Sequence, residues 1–130
     1  MKIGLDFHGV IDAAPSFFSW LSNSLIKDGH EVHIITGHEL TSNFIKKLYD
    51  LNIRYTHVFS IADHHKSIGT KMWYDEKHTP WMDEETWNRT KGEYCAREEI
   101  DFHIDDSEKY CKHFITPYFL FSLKALGLPT

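Results

Sequence analysis

The sequence is short of cysteine, of positive charge and of long apolar runs, and each shortage closes off a class of protein. Only Cys95 and Cys111 occur in 130 residues, with no short pairing motif. That argues against a disulfide framework or a zinc ribbon and for a reducing compartment. Lys and Arg number 14 against 19 Asp and Glu, a net charge of -5 with no basic stripe, so a nucleic-acid backbone is not the expected partner. A small anionic substrate would then need a local positive device, either a metal ion or a lysine. No apolar run approaches the roughly 18 residues of a membrane helix, and no basic-then-apolar leader is seen. A soluble, cytoplasmic protein with no membrane partner is expected. Internal repeats and low-complexity tracts are absent as well, and the length suits one domain over 1–130.

What is present begins with Met1 to Asp12, MKIGLDFHGVID. Ile3, Leu5 and Phe7 alternate with small or polar neighbours and give way to His8-Gly9, which reads as a buried strand ending in a tight loop. Asp6 stands at the carboxyl end of that strand. A carboxylate beside a loop of free backbone N–H groups is a place where a metal ion and a phosphate can meet.

Pro15 suits a first helical turn, and Phe17, Trp20, Leu21 and Leu25 recur at helical spacing until Asp28-Gly29. Glu31 to Thr36 reads as a strand ended by Gly37, and Glu39 to Leu51 as a helix with Leu40, Phe44, Leu48 and Leu51 on one face. Tyr55 to Ile61 is a third strand. From about 62 to 82 no period is sustained, and Trp73, Tyr74 and Trp81 suggest an insertion with a small aromatic core, shared with Trp87. Asp83 can cap a helix running to about Glu98, with Trp87, Tyr94 and Cys95 inward. A strand over Ile100 to Ile104, a short helix over Glu108 to His113 and a last strand near Tyr118 to Phe121 complete the pattern, with a short helix or coil from Ser122. This alternation predicts an α/β fold: a Rossmann-like three-layer sandwich around a mostly parallel five-stranded sheet.

In such a sheet the strand ends project to one side, so Asp6, Thr36-Gly37, Lys91 and Asp105-Asp106 are expected to converge there. Acidic positions with a free carbonyl make an oxygen-rich site suited to Mg²⁺. A hydroxyl, backbone N–H groups and an ammonium make a phosphate cradle.

These four elements resemble the haloacid dehalogenase superfamily of phosphatases, and the likeness runs through most of the chain. Its first motif, D-x-D-G after an apolar strand, reads here Asp6-Phe7-His8-Gly9; its second, an apolar strand ending in Thr or Ser, reads Ile34-Ile35-Thr36-Gly37. The lone lysine of the third is matched by Lys91, 14 residues before Asp105, and the paired acids of the fourth by Asp105-Asp106. The resemblance implies that Asp6 is the nucleophile, forming an aspartyl-phosphate, and also a Mg²⁺ ligand. The His8 carbonyl and Asp105 would be further ligands, with Asp106 holding a metal-bound water or supporting Lys91. Gly9, Thr36, Gly37 and Lys91 would bind the phosphoryl group of a small phosphorylated metabolite, and the Asp6-x-x-Gly9-Val10 loop also looks like the deoxyribonucleotidase branch. About 20 residues of insertion stand in place of a full cap domain, which implies an open mouth.

The departure is His8, where the family has an aspartate that protonates the leaving group and then activates water. General acid catalysis of this kind is worth about 10²–10⁴ in rate. Histidine can act as the acid and base. The alternatives are an enzyme limited to good leaving groups or to phosphonate or halide chemistry, and a catalytically weakened domain that binds phosphate or a protein. Lys66, Lys71 and Lys77 are rivals of Lys91 as the phosphate-facing cation. His57, His64, His65 and His78 match no compact zinc site by spacing. The oligomeric state is not legible.

Overall fold

Ile3 and Leu5 turn to one side of their strand and Gly4 to the other, and the same alternation recurs across the sheet. The computed structural model describes residues 1–123. Its main sheet is built from β1 (Lys2–Leu5), β2 (Glu31–Thr36), β3 (His57–Ser60), β6 (Phe102–Asp105) and β7 (Tyr118–Leu120), in the order β3-β2-β1-β6-β7, and every neighbouring pair is parallel. A separate hairpin joins β4 (Trp73–Tyr74) to β5 (Pro80–Trp81). The helices are α1 (Pro15–Lys27), α2 (Ser42–Asp50), α3 (Ile61–Ser67) and α4 (Glu84–Arg97), with a short tight helix over Glu108–His113. No helix among the described residues is long and apolar enough to cross a membrane.

One face of the sheet presents Ile3, Leu5, Val32 and Ile34 to Phe18 of α1 and to Phe44 and Leu48 of α2. The other presents Ile35 to Tyr94 and Cys95 of α4, with Ile100 alongside. Helices thus cover both faces, as a parallel sheet requires, because its two sides are both too apolar to face water. Each fully buried aliphatic or aromatic side chain adds roughly 1.5–3 kcal/mol.

Side-chain caps set the helix starts. The Thr41 hydroxyl accepts from the Phe44 N–H at 3.1 Å, Ser60 from Asp63 at 3.0 Å and Asp83 from Thr86 at 2.9 Å. The second helix therefore begins at Ser42 rather than Glu39. The Ser60 cap lets α3 follow β3 without a break, so the stretch expected to be irregular from 62 opens with a helix. Its aromatic residues form no core: Trp73, Tyr74 and Trp81 are all about half exposed. The hairpin is instead organised by Asp75, whose carboxylate accepts from the N–H groups of Lys77 and Thr79, both at 2.9 Å, and from Trp81 Nε1 at 3.0 Å. In α1 the inward residues are Phe18, Leu21 and Leu25, while Phe17 and Trp20 face solvent. The expected helix or coil from Ser122 falls mostly outside the described residues.

A feature absent from the sequence reading crosses the α4 face of the sheet. His57, His33, Gly4, His103 and Tyr118 stand at one register level on five successive strands. His33 and His103 are fully buried there.

Candidate active site

Because all strands of the main sheet run the same way, Asp6, Thr36 and Asp105 emerge at one edge. Asp6 leaves β1 with its N–H donating to the Ile104 carbonyl at 3.0 Å, which fixes the two carboxylate-bearing strands side by side. The chain then turns tightly over Phe7–Ile11, with Gly9 at φ 80°. That backbone conformation is open to glycine and strained for other residues. The Asp106 carboxylate fills the space beside it, so the first and fourth segments interlock.

Lys91 comes from the middle of α4 and is completely buried. Its ammonium donates to Asp105 Oδ2 at 2.7 Å and Asp6 Oδ1 at 3.1 Å, and lies 4.6 Å from the centre of the Tyr110 ring. Lys66, a rival for this position, is instead paired with Glu39 at 2.8 Å. Burial alone would pull the Lys91 ammonium down, but Asp6 and Asp105 hold it above the usual lysine range. His103 donates from Nε2 to Asp105 Oδ2 at 2.9 Å, and the Ser107 N–H donates to Oδ1 at 3.2 Å. Burial would raise Asp105, yet the His103 hydrogen bond and the Lys91 charge hold its carboxyl well below the usual range. Burial in turn keeps the His103 imidazole below its ordinary range. The Asp6 carboxyl, by contrast, is pushed up to about 8 by burial, against the pull of Lys91 and with the repulsion of Asp105 and Asp106 added.

The charge is therefore incomplete. Three carboxylates, from Asp6, Asp105 and Asp106, each place an oxygen within 4.8 Å of the others, around one ammonium. An all-oxygen set with excess negative charge fits a hard divalent cation such as Mg²⁺. Asp6, Asp105 and Asp106 would hold it. Among the described residues no hydrogen bond joins Lys91 to Asp106, so the lysine is supported by Asp105.

Thr36 and Gly37 line the same cleft of about 560 Å³. The Thr36 hydroxyl accepts from the His38 N–H at 3.1 Å. A β-carbon on Gly37 would lie 2.7 Å from Cζ2 of Trp87, so the indole can close on this loop only because position 37 has no side chain. Trp87 thus packs on the Gly37 loop and, with residues of the insertion such as Trp81, lines a cavity beside the cleft. This neighbouring cavity of about 980 Å³ shares Gly37, His38, Thr41 and Lys109 with the cleft and is also lined by Lys77.

His8 stands at the rim with its side chain 92% exposed. Its Nδ1 is 3.0 Å from Asp12 Oδ2, while Asp12 Oδ1 accepts from the Gly9 N–H at 2.6 Å. Asp12 thus orients the imidazole and pins the turn at once. The sequence offered a signal for it, since His8 and Asp12 are four residues apart within one turn. Sequence reading also missed His103 and Tyr110, which touch Asp105 and Lys91. The four histidines considered for zinc do not converge: His65 bonds Thr70 and Thr90, both at 2.8 Å, and His57 stacks on His33.

Against family models, curated proteins and solved structures alike, the chain gives no match.

Proposed function

We infer that the protein is a Mg²⁺-dependent phosphomonoesterase acting on a small phosphorylated metabolite, with nucleotides among the candidates. The observation that carries this reading is the convergence of Asp6, Lys91 and Asp105 at hydrogen-bonding distance, with Asp106 and Thr36-Gly37 around them. The likeness of these four segments to the motifs of haloacid dehalogenase phosphatases supports the same reading.

In the proposed reaction an Asp6 oxygen attacks phosphorus, the bond to the leaving oxygen breaks, and the departing alkoxide takes a proton from the His8 imidazolium. A water molecule then attacks phosphorus in the aspartyl-phosphate, passes a proton to His8 and frees inorganic phosphate with Asp6 restored. Lys91 offsets the charge between nucleophile and phosphoryl group, and Thr36 with the Gly37 N–H holds its oxygens. Mg²⁺, when bound, supplies the positive charge that lets a carboxylate approach a phosphate dianion.

One observation favours a second reading, a binding domain without turnover: His8 is tied to Asp12 and points into solvent. Hydrolysis of p-nitrophenyl phosphate and of a nucleotide panel, with Mg²⁺ and with chelator, separates the two. Turnover that requires Mg²⁺ and disappears in Asp6→Asn supports the enzyme. No turnover in any condition, with phosphate still bound, supports the binding domain.

A further inference from the structure

Glu31 and His33 alternate onto the sheet face that α4 covers, and His57 is the register partner of His33 on the adjacent parallel strand. Two strands thereby bring two imidazoles and a carboxylate together at the sheet edge opposite to Asp6. His33 Nε2 lies 2.9 Å from Glu31 Oε1, and His57 Nδ1 lies 3.7 Å from the same oxygen. The two rings stack 4.2 Å apart and 7° from parallel. One donor atom from each residue falls within 4.8 Å of the other two. Donors held at about 2.0–2.1 Å by one tetrahedral ion stand about 3.4 Å apart. The two measured separations bracket that value.

We propose that Glu31, His33 and His57 form a binding site for a divalent transition metal, zinc being the natural occupant of a set with two imidazoles and one carboxylate. The site is independent of the acidic cluster around Asp6, whose oxygen donors suit a harder ion.

The surroundings fit this use. His33 is locked by burial, and its Nδ1 lies 2.7 Å from the Tyr94 hydroxyl. Before binding, Nε2–H donates to Glu31 and the Tyr94 O–H donates to Nδ1. On binding, the ring proton moves from Nε2 to Nδ1 and is donated to the tyrosine oxygen, which frees the Nε2 lone pair without net proton release from this ring. A metal-bound histidine is commonly fixed by such a partner on its other nitrogen. Glu31 and His57 are 40% and 49% exposed, so the ion can enter and a water can complete the tetrahedron. Lys2 also faces the Glu31 carboxylate, but its ammonium donates to the Glu98 carbonyl at 3.0 Å. His57 Nδ1 now donates to the Thr56 hydroxyl at 2.9 Å, so on binding the half-exposed ring turns out of the stack and its proton moves to Nε2, which aims the Nδ1 lone pair at the ion. The ion would clip β3, the edge strand, to β2.

The test is a Co²⁺ titration of the untagged full-length chain with Mg²⁺ in excess, read by visible absorption, in which four-coordinate nitrogen-bound cobalt gives an intense band. Wild type is expected to develop the band at one equivalent and to lose it on addition of Zn²⁺. His57→Gln changes a half-exposed side chain, and its fold is checked by circular dichroism. It should weaken Co²⁺ binding at least about tenfold. Asp6→Asn should leave the band intact. No band in wild type overturns the proposal, as does a band that persists undiminished in His57→Gln or one that vanishes in Asp6→Asn. Zn²⁺ should also raise the melting temperature of wild type by several degrees and that of His57→Gln by much less; equal shifts in the two would overturn it.

Discussion

A β-carbon placed on Gly9 would lie 1.9 Å from Oδ2 of Asp106, although the two residues are separated by most of the chain. The turn after β1 and the turn after β6 therefore pack against each other with no space to spare. This contact fixes the Asp106 carboxylate beside the turn that follows Asp6.

Gly9→Ala is expected to cost at least about 1–2 kcal/mol, since φ is 80° there and the added methyl must also displace Asp106. Removing the obstructing carboxylate should return part of that loss, so Gly9→Ala and Asp106→Ala should be strongly non-additive. Urea denaturation of the two single variants, the double variant and wild type measures the coupling. Strict additivity would mean that the two turns do not interlock.

Lys91→Met leaves Asp6 and Asp105 buried without their cation, and breaking a buried ion pair from one side costs about 3–5 kcal/mol. Because Mg²⁺ would compensate the same charges, it should stabilise this variant more than it stabilises wild type. Thermal melts with and without Mg²⁺ decide the matter. A variant as stable as wild type in chelator would contradict the electrostatic account of the site.

Three strands and the main acidic residues were legible because β1, β2 and β6 are apolar on the α1–α2 face and run into a polar residue at the site edge: Asp6, Thr36 and Asp105. Lys91 was singled out from three rival lysines by its spacing ahead of Asp105 in the motif it resembles. On the α4 face Ile35, Tyr94 and Cys95 carried an apolar signal, but the row of Gly4, His33 and His103 beside them was not legible, since histidine in isolation reads as a surface residue. Burial of those rings is made acceptable by partners from distant segments, Tyr94 for His33 and Asp105 for His103, which no local pattern announces. The helix α3 was hidden for a related reason. Its seven residues are too few to show a period, and its start rests on one hydroxyl, Ser60.

If His8 is the general acid, His8→Ala should lower turnover of alkyl phosphates by about 10²–10⁴ and that of p-nitrophenyl phosphate by clearly less, since its leaving group needs no proton and only the water-activation step suffers. Asp12→Asn keeps an acceptor for the Gly9 N–H while weakening the hold on the ring, so it should fall between wild type and His8→Ala on alkyl substrates. Steady-state kinetics on both substrate classes measures this. Equal losses on the two classes would remove His8 from leaving-group protonation and confine it to hydrolysis of the shared aspartyl-phosphate, and no loss on either would remove it from proton transfer altogether.

His65 should make the fold sensitive to acid. Thr90 donates its hydroxyl proton to the Thr86 carbonyl at 2.6 Å, so its oxygen accepts from His65 Nε2–H, and His65 Nδ1 accepts from Thr70. The neutral ring is thereby satisfied on both nitrogens. Burial pushes its pKa below the ordinary histidine value, His64 and Arg89 push the same way, and Glu93 opposes them. In the unfolded chain the ring takes up a proton near pH 6.5, approximately the model-peptide value. Below that pH the unfolded state binds a proton that the native state refuses, so stability falls with pH until the depressed native value is reached, at no more than about 1.4 kcal/mol per pH unit. His65→Gln cannot titrate. It should be less stable than wild type near neutrality, and the gap should narrow as the pH is lowered through this window. Urea denaturation of both proteins at about pH 7.5, 6.5 and 5.5 reads the difference, in which the other histidines cancel. A gap that stays constant would show that His65 takes up its proton equally in the folded and unfolded chain.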